Sequence, residues 1–357
     1  MSIKDLMHAM VKHNASDLFY RAGGSARLRV DGKLLTIDEK VLTIDDVIKA
    51  AEEITTLKQR EFFKDNLDLG FAVYVEELGL RFRVSIFMQR NWPSIVIRRV
   101  NNVTQTFEEL NLPADVLKKL CLEKGGLVLL TGSMGSGKST AIASMIEYIN
   151  NNSKKHILTI EEPIEFTFKD KEALINQREL GIDVASYPAA LRAFTLQSPD
   201  ILFISNIRDA ETMSSVLAAA ETGVLVLSTL HTINAVQSVE RIINFFPPHQ
   251  HQEVKNQLAG LLKGIISLRL VPAKNAAGRI PAYEVMLLTP TISRLIREGK
   301  IWEIPKFIDD GAIFGMQSFT QSLVKLVKEG KISEEQAIDF ADSKDELLLA
   351  LRGIKNN

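Results

Sequence analysis

Apolar residues at Ile3, Leu6, Met7, Met10 and Val11 fall on one face at helical spacing, so the chain is predicted to open with a short amphipathic helix. The pattern then changes to alternation. "ARLRVDGKLLTI" reads as two strands joined at Asp31-Gly32, a pair suited to a type I′ turn because both positions tolerate positive φ. A helix is predicted from near Thr43. "LDLGFAVYV", "RFRVSIFMQ" and "SIVIRRV" follow as strands, with breaks at Glu76–Gly79 and Asn91–Pro93. Residues 1–100 therefore read as a small α+β domain. Residues 101–113 lose periodicity and end in Pro113, which places an interdomain linker there.

Beyond the linker, short apolar runs alternate with helical stretches. The runs are "GLVLLTG", "HILTIEE", "DILFIS" and "VLVLSTLH", and helices are predicted from Lys138, Ser186 and Ala210. Strands that are apolar on both faces and separated by helices argue for a parallel sheet covered on both sides, an α/β domain over 114–289. From about Pro290 the pattern is helical to residue 357. Ser333 with Gln336, and Ser343 with Glu346, have capping-box spacing.

Bulk properties narrow the function classes. A net charge of −1 offers no global attraction to nucleic acid or anionic lipid, which disfavours a nucleic-acid motor. One cysteine, Cys121, excludes an intramolecular disulfide and any multi-cysteine zinc site, and suits a reducing compartment such as the cytosol. No apolar run approaches eighteen residues, and the N-terminus carries Lys4 and Asp5 where a signal peptide would be apolar. Neither membrane insertion nor a cleavable leader is expected.

The most specific chemistry is Gly132-Ser133-Met134-Gly135-Ser136-Gly137-Lys138-Ser139-Thr140, which satisfies G-x-x-x-x-G-K-[ST] between a strand and a helix. Its glycines let backbone N–H groups curl around phosphate oxygens, Lys138 is placed to reach the β- and γ-phosphates of ATP, and the Ser139 hydroxyl is a ligand for Mg²⁺. Hydrolysis needs more: a carboxylate for the attacking water, another supporting the metal, and positive charge at the γ-phosphate. Glu161, Glu162 and Glu165 cluster after a strand, as a catalytic group or as a solvated acidic turn. His231 ends the strand "VLVLSTLH", as a γ-phosphate sensor or as a structural histidine.

Together these motifs resemble the PilT/PilU-type type IV pilus retraction ATPases of the secretion ATPase superfamily. In order along the chain, the resemblance rests on "ASDLF", "VDGKL", "RFRVS", "GSGKST", "HILTIEEPIEF", "NQRELG", "TLHT", "RIINFFP", "GMQSFTQSL" and "ADSKDELLLAL", the last three closest to the PilU branch. It implies a RecA-like P-loop domain after a PAS-like N-terminal domain. It also implies a homohexameric ring at the cytoplasmic side of the inner membrane, with ATP bound between domains and neighbouring subunits. Such a ring acts on a PilC-like platform protein in pilus retraction and twitching motility. Glu161 matches the carboxylate of the family's Asp box and His231 the second histidine of its His box. Arg81, Arg83 and Arg98 match N-terminal-domain arginines, some of which reach the phosphates in the family; the alternative for them is a solvated strand face.

Four positions depart from the family pattern. Leu196 replaces an arginine before the Walker B strand, Ser205-Asn206 replaces Gly-Glu at its end, Val224 replaces the first histidine, and Glu162 replaces the Asp-box aspartate. An amide keeps an acid's shape without its charge or basicity, and loss of a general base costs about 10²- to 10⁴-fold. The expectation is intact ATP binding with weak hydrolysis, and an accessory role beside an active PilT-like ATPase. The alternative is a self-sufficient motor in which Glu161 activates water.

Overall fold

Residues 2–30, 32–100, 102, 104–274 and 278–354 are described in the computed structural model of the chain. They form two units: 1–103 with 165–167, and 104–164 with 168–357.

In the first unit the elements are α1 (Ile3–Lys12), β1 (Asp17–Arg21), β2 (Arg27–Val30), β3 (Lys33–Thr36), α2 (Ile44–Ile54), α3 (Leu57–Asn66), β4 (Asp68–Val75), β5 (Leu80–Gln89) and β6 (Trp92–Arg99). The strands pair antiparallel in the order β3-β2-β1-β6-β5-β4. Period-two alternation turns Leu80, Phe82, Val84 and Ile86 inward, while Arg81 and Arg83 stay partly exposed on the other face. Ile3, Leu6, Met7 and Met10 of α1 are buried in the same core. α2 starts at the Thr43 cap, whose hydroxyl accepts from Asp46 N–H while Asp46 accepts from Thr43 N–H.

The second unit holds α4 (Ala114–Cys121), β7 (Gly126–Thr131), α5 (Lys138–Asn152), β8 (His156–Glu161), β9 (Leu174–Glu179), α6 (Tyr187–Ala193), β10 (Ile201–Ile204), α7 (Ala210–Glu221), β11 (Leu225–Leu230), α8 (Ala235–Asn244) and α9 (His251–Leu261). They are followed by β12 (Leu262–Pro272), β13 (Arg279–Leu287), α10 (Pro290–Glu298), α11 (Ile304–Asp309), α12 (Phe319–Lys328), α13 (Glu334–Phe340) and α14 (Lys344–Leu351). The sheet order is β13-β12-β7-β11-β10-β8-β9, parallel except for the β12–β13 pair. β7 explains why its run is continuously apolar. Leu127 and Leu129 enter one core with α7–α10, and Val128 and Leu130 enter the other with α4 and α5. Burying one such side chain contributes about 1.5–3 kcal/mol.

The structure refines several expectations. Val30 pairs with Lys33 across a two-residue connection in which Gly32 has φ +79°, while Asp31 lies outside the described residues. The second break is narrower than expected: Gln89 pairs with Trp92, the turn is Arg90-Asn91 at φ +50° and +62°, and Pro93 lies in β6. Phe107 and Leu112, in the segment read as a linker, are buried in the core beside α4 and α5. Periodicity is lost there because the segment is a turn, in which Glu109 N–H donates to Thr106 Oγ1 and Glu109 Oε2 accepts from Thr106 N–H. Ser333 and Gln336 close a full capping box. Ser343 caps α14 by accepting from Glu346 N–H, while the Glu346 carboxylate accepts from Thr320 instead.

Candidate functional site

Parallel strands put their C-terminal ends at one edge of the sheet, and there β7 runs into the loop Gly132–Gly137 and then α5. Gly132, at φ +141°, cannot carry a side chain: a Cβ would lie 2.5 Å from Leu268 O and 2.5 Å from Ser136 Oγ. Gly135 and Gly137 are also at positive φ. Gly137 caps α5 without a side-chain acceptor, so the first N–H groups of a fifteen-residue helix are not engaged by a cap side chain. Ser136 is buried, and its Oγ has no hydrogen-bond partner among the described residues. Ser133, Met134 and Gly135 are exposed at the loop tip, and Ser139 and Thr140 are half-buried on the first turn of α5.

Lys138 is buried at the start of α5. Its Nζ donates to Gly132 O at 2.7 Å and Ser133 O at 2.9 Å, which folds the side chain back along the loop. The same Nζ lies 3.5 Å from His231 Nδ1, so the structure brings together two of the residues singled out in the sequence. Burial, with Lys138 and Arg208 nearby, holds the His231 imidazole below its ordinary pKa. A neutral ring leaves Nδ1 available as an acceptor facing the ammonium.

Glu161, at the end of β8, is buried. Its Oε1 accepts from Thr159 Oγ1 at 2.6 Å and from Gln177 Nε2 at 3.0 Å. Gln177 comes from the edge strand β9, paired with Thr159, and was not singled out as a site residue. β9 turns polar after Ile175, with Asn176, Gln177 and Arg178 exposed or half-buried and Glu179 buried at its end, and that hid it from the pattern reading. Glu162 points elsewhere: its Oε2 meets Arg208 Nη1 at 3.0 Å, and its backbone N–H donates to Ser205 Oγ at 2.9 Å. Ser205 Oγ is also 2.8 Å from the Tyr187 hydroxyl, which burial pushes up to about 12. Arg208 and Ser205 are thus structural partners of the acidic turn; a charged residue just past a β10 strand end was the available signal. Glu165 groups with the first unit.

The four departures do not share one place. Asn206 follows β10 at the loop edge of the sheet, buried, with Oδ1 lacking a partner among the described residues. Glu162 follows β8 at the same edge. Leu196 is 89% exposed and precedes β10, and Val224 precedes β11 with its carbonyl accepting from Gly126 N–H at the start of β7. Those two therefore lie at the opposite edge of the sheet from the phosphate loop. Within the unit, two of the four lie at the edge that carries the loop and two at the other.

In the first unit, Arg83 pairs with Arg98 across β5 and β6, and Arg81 shares the partly exposed face of β5. Arg98 Nε donates to Asp17 Oδ1 at 2.7 Å, and Arg29 Nε lies 3.3 Å from Asp17 Oδ2.

The family description "Type II/IV secretion system protein" matches residues 1–338. The chain belongs to this family. Within it the chain falls with the PilT/PilU-type pilus retraction ATPases. The type IV pilus ATPase PilU of Pseudomonas aeruginosa is 40% identical over 352 residues, 99% of this chain and 92% of that protein. The type IV pilus retraction ATPase PilT of the same organism is 39% identical over 96% of this chain and 98% of its own length. A crystal structure of the pilus retraction motor PilT with bound ADP superposes with a TM-score of 0.90 at 38% identity, covering 97% of this chain and 98% of that one. No helix among the described residues of this family member is long and apolar enough to cross a membrane.

Proposed function

We propose that the chain is an ATP-binding subunit of a pilus retraction motor, accessory to an active PilT-like ATPase, with weak hydrolysis of its own. It works as a homohexamer on the cytoplasmic side of the inner membrane, against a PilC-like platform protein. The reading is supported by the phosphate loop and by the similarity to pilus retraction ATPases. The observation that carries the weak chemistry is Asn206, an amide buried at the sheet edge where the family places a carboxylate.

In this reading the loop N–H groups and the α5 N-terminus receive the phosphates, and Lys138 leaves its two carbonyls to reach the β- and γ-oxygens. When bound, Mg²⁺ would supply charge neutralisation for the phosphates. The residues fit it: Mg²⁺ characteristically takes few protein ligands and keeps phosphate and water, and Ser139 stands half-buried on the first turn of α5, directly after the loop. The Ser139 hydroxyl would be its protein ligand. Glu161 orients the attacking water, His231 contacts the γ-phosphate, and one or more of Arg81, Arg83 and Arg98 add positive charge. Asn206 holds a water by hydrogen bonding but takes no proton from it. Nucleotide occupancy then biases the ring between conformations rather than driving repeated cycles.

One observation favours the alternative of a self-sufficient motor: Glu161 Oε1 is held by both Thr159 and Gln177, an ordered carboxylate able to act as base alone. Phosphate release from Mg-ATP, with direct ATP binding and a Lys138→Ala control, separates the readings. Binding without turnover, raised by Asn206→Glu, supports the accessory role. Robust turnover that Lys138→Ala abolishes overturns it.

A further inference from the structure

Glu284 stands inside β13, paired with Ser267 on β12. Its Oε1 accepts from Ala235 N–H, at the start of α8, at 2.7 Å, and lies 3.4 Å from Ser267 Oγ. Ser267 Oγ accepts in turn from Thr131 Oγ1 at 2.9 Å. Thr131 is the last residue of β7, directly before Gly132, and α8 begins four residues after His231. Thr131, Ser267 and Ala235 are all fully buried. One carboxyl group therefore stands between the strand that delivers the phosphate loop and the helix that anchors the histidine segment.

We propose that Glu284 is a positioning residue for the nucleotide site, fixing the His231 segment relative to the phosphate loop through Ala235 on one side and Ser267–Thr131 on the other. The inference rests on the nucleotide-binding reading given above. A structural role alone is served by any acceptor of the same shape; a carboxylate adds strength, because hydrogen bonds to charged groups are the stronger class. Although the residue retains some exposed surface, its carboxyl group is closely surrounded, and that burial pushes it up to about 7. The Ala235 N–H opposes the rise, Asp342 adds to it, and Arg269 and Ser267 oppose it. β7 carries no titratable side chain, the first on α8 is Glu240, and α12 meets β13 through Ser322, Phe319 and Leu323. The tie is accordingly strong above neutrality and weak below it. His231 works in the opposite sense, since protonating it adds positive charge beside the phosphates and strengthens binding at low pH.

The test is Mg-ATP affinity by calorimetry on the full chain between pH 6 and pH 8, for the native protein, Glu284→Gln and Glu284→Ala, with thermal melts. Titration of ATP itself is common to all three and cancels in ratios. At pH 8 the native protein is expected to bind about five-fold tighter than Glu284→Gln, the two converging at pH 6; Glu284→Ala, lacking any acceptor, is about five-fold weaker again. Glu284→Gln tracking the native protein at every pH, with Glu284→Ala lowering only the melting temperature, overturns the inference and leaves nucleotide binding standing. Absence of Mg-ATP binding by the native protein, unchanged by Lys138→Ala, overturns the nucleotide reading and this inference with it.

Discussion

Arg208 Nη1 lies 3.0 Å from Glu162 Oε2, tying the residue after β8 to the segment after β10. Both side chains keep solvent contact, so the pair is worth at most about 1 kcal/mol. Arg208→Ala is therefore expected to shift the urea midpoint barely, while freeing the Glu162 carboxylate. If the longer side chain at 162 is what weakens the site, Glu162→Asp combined with Asn206→Glu will exceed Asn206→Glu alone in phosphate release, since misplacement of about 1 Å can cost 10²-fold.

Gly132→Ala is expected to destroy ATP binding and to lower stability by about 1–3 kcal/mol, read as a drop in the melting temperature. The added Cβ collides with Leu268 O and Ser136 Oγ, and φ +141° is itself unsuited to an L side chain. Gly135→Ala, with nothing within 4 Å of its Cβ, keeps only the backbone penalty of φ +75° and will be the milder variant in the same melt.

His231 supplies a pH dependence with a defined sign. Its folded pKa lies below the unfolded 6.5, so the unfolded chain takes up its proton first as pH falls. Its contribution is fully present above about pH 6.5 and is lost below it. His231→Gln will flatten the stability profile on the acid side without altering it at pH 8. Lys138→Met, removing one of the charges that hold the imidazole down, will move the ring's NMR titration upward; burial, the larger cause, remains.

Cys121 is fully buried on α4, and burial raises its thiol well above the usual range. Thiolate is the reactive form, so aromatic disulfide reagents will leave the native protein unlabelled and react in step with unfolding.

Ser333→Ala removes the side-chain half of the α13 capping box, the acceptor for Gln336 N–H, while the backbone N–H that donates to Gln336 remains, and is expected to cost about 1 kcal/mol in chemical denaturation.

Where the sequence was easily read, local physics and tertiary environment asked for the same thing. β7, β10 and β11 are buried on both faces and contain only residues that suit such a position. The phosphate loop was legible because its glycines answer to backbone geometry. β9 and α3 were not, since one is an edge strand without an apolar face and the other buries no residue. Lys138 and His231 are 93 positions apart, and their meeting follows from β7 and β11 being neighbours in the sheet. Arg208, Ser205 and Glu284 have partners on other elements, which spacing along one chain does not encode.

The strand between Val224 and His231 advances roughly 3.3 Å per residue, about 23 Å over its seven steps. A motif written as one short string is thus, in space, two addresses on opposite rims of the sheet. Within one subunit no single triphosphate tail can be touched at both. Within the subunit, Val224 answers to the start of β7, where its carbonyl accepts from Gly126 N–H, and His231 to the loop edge beside Lys138.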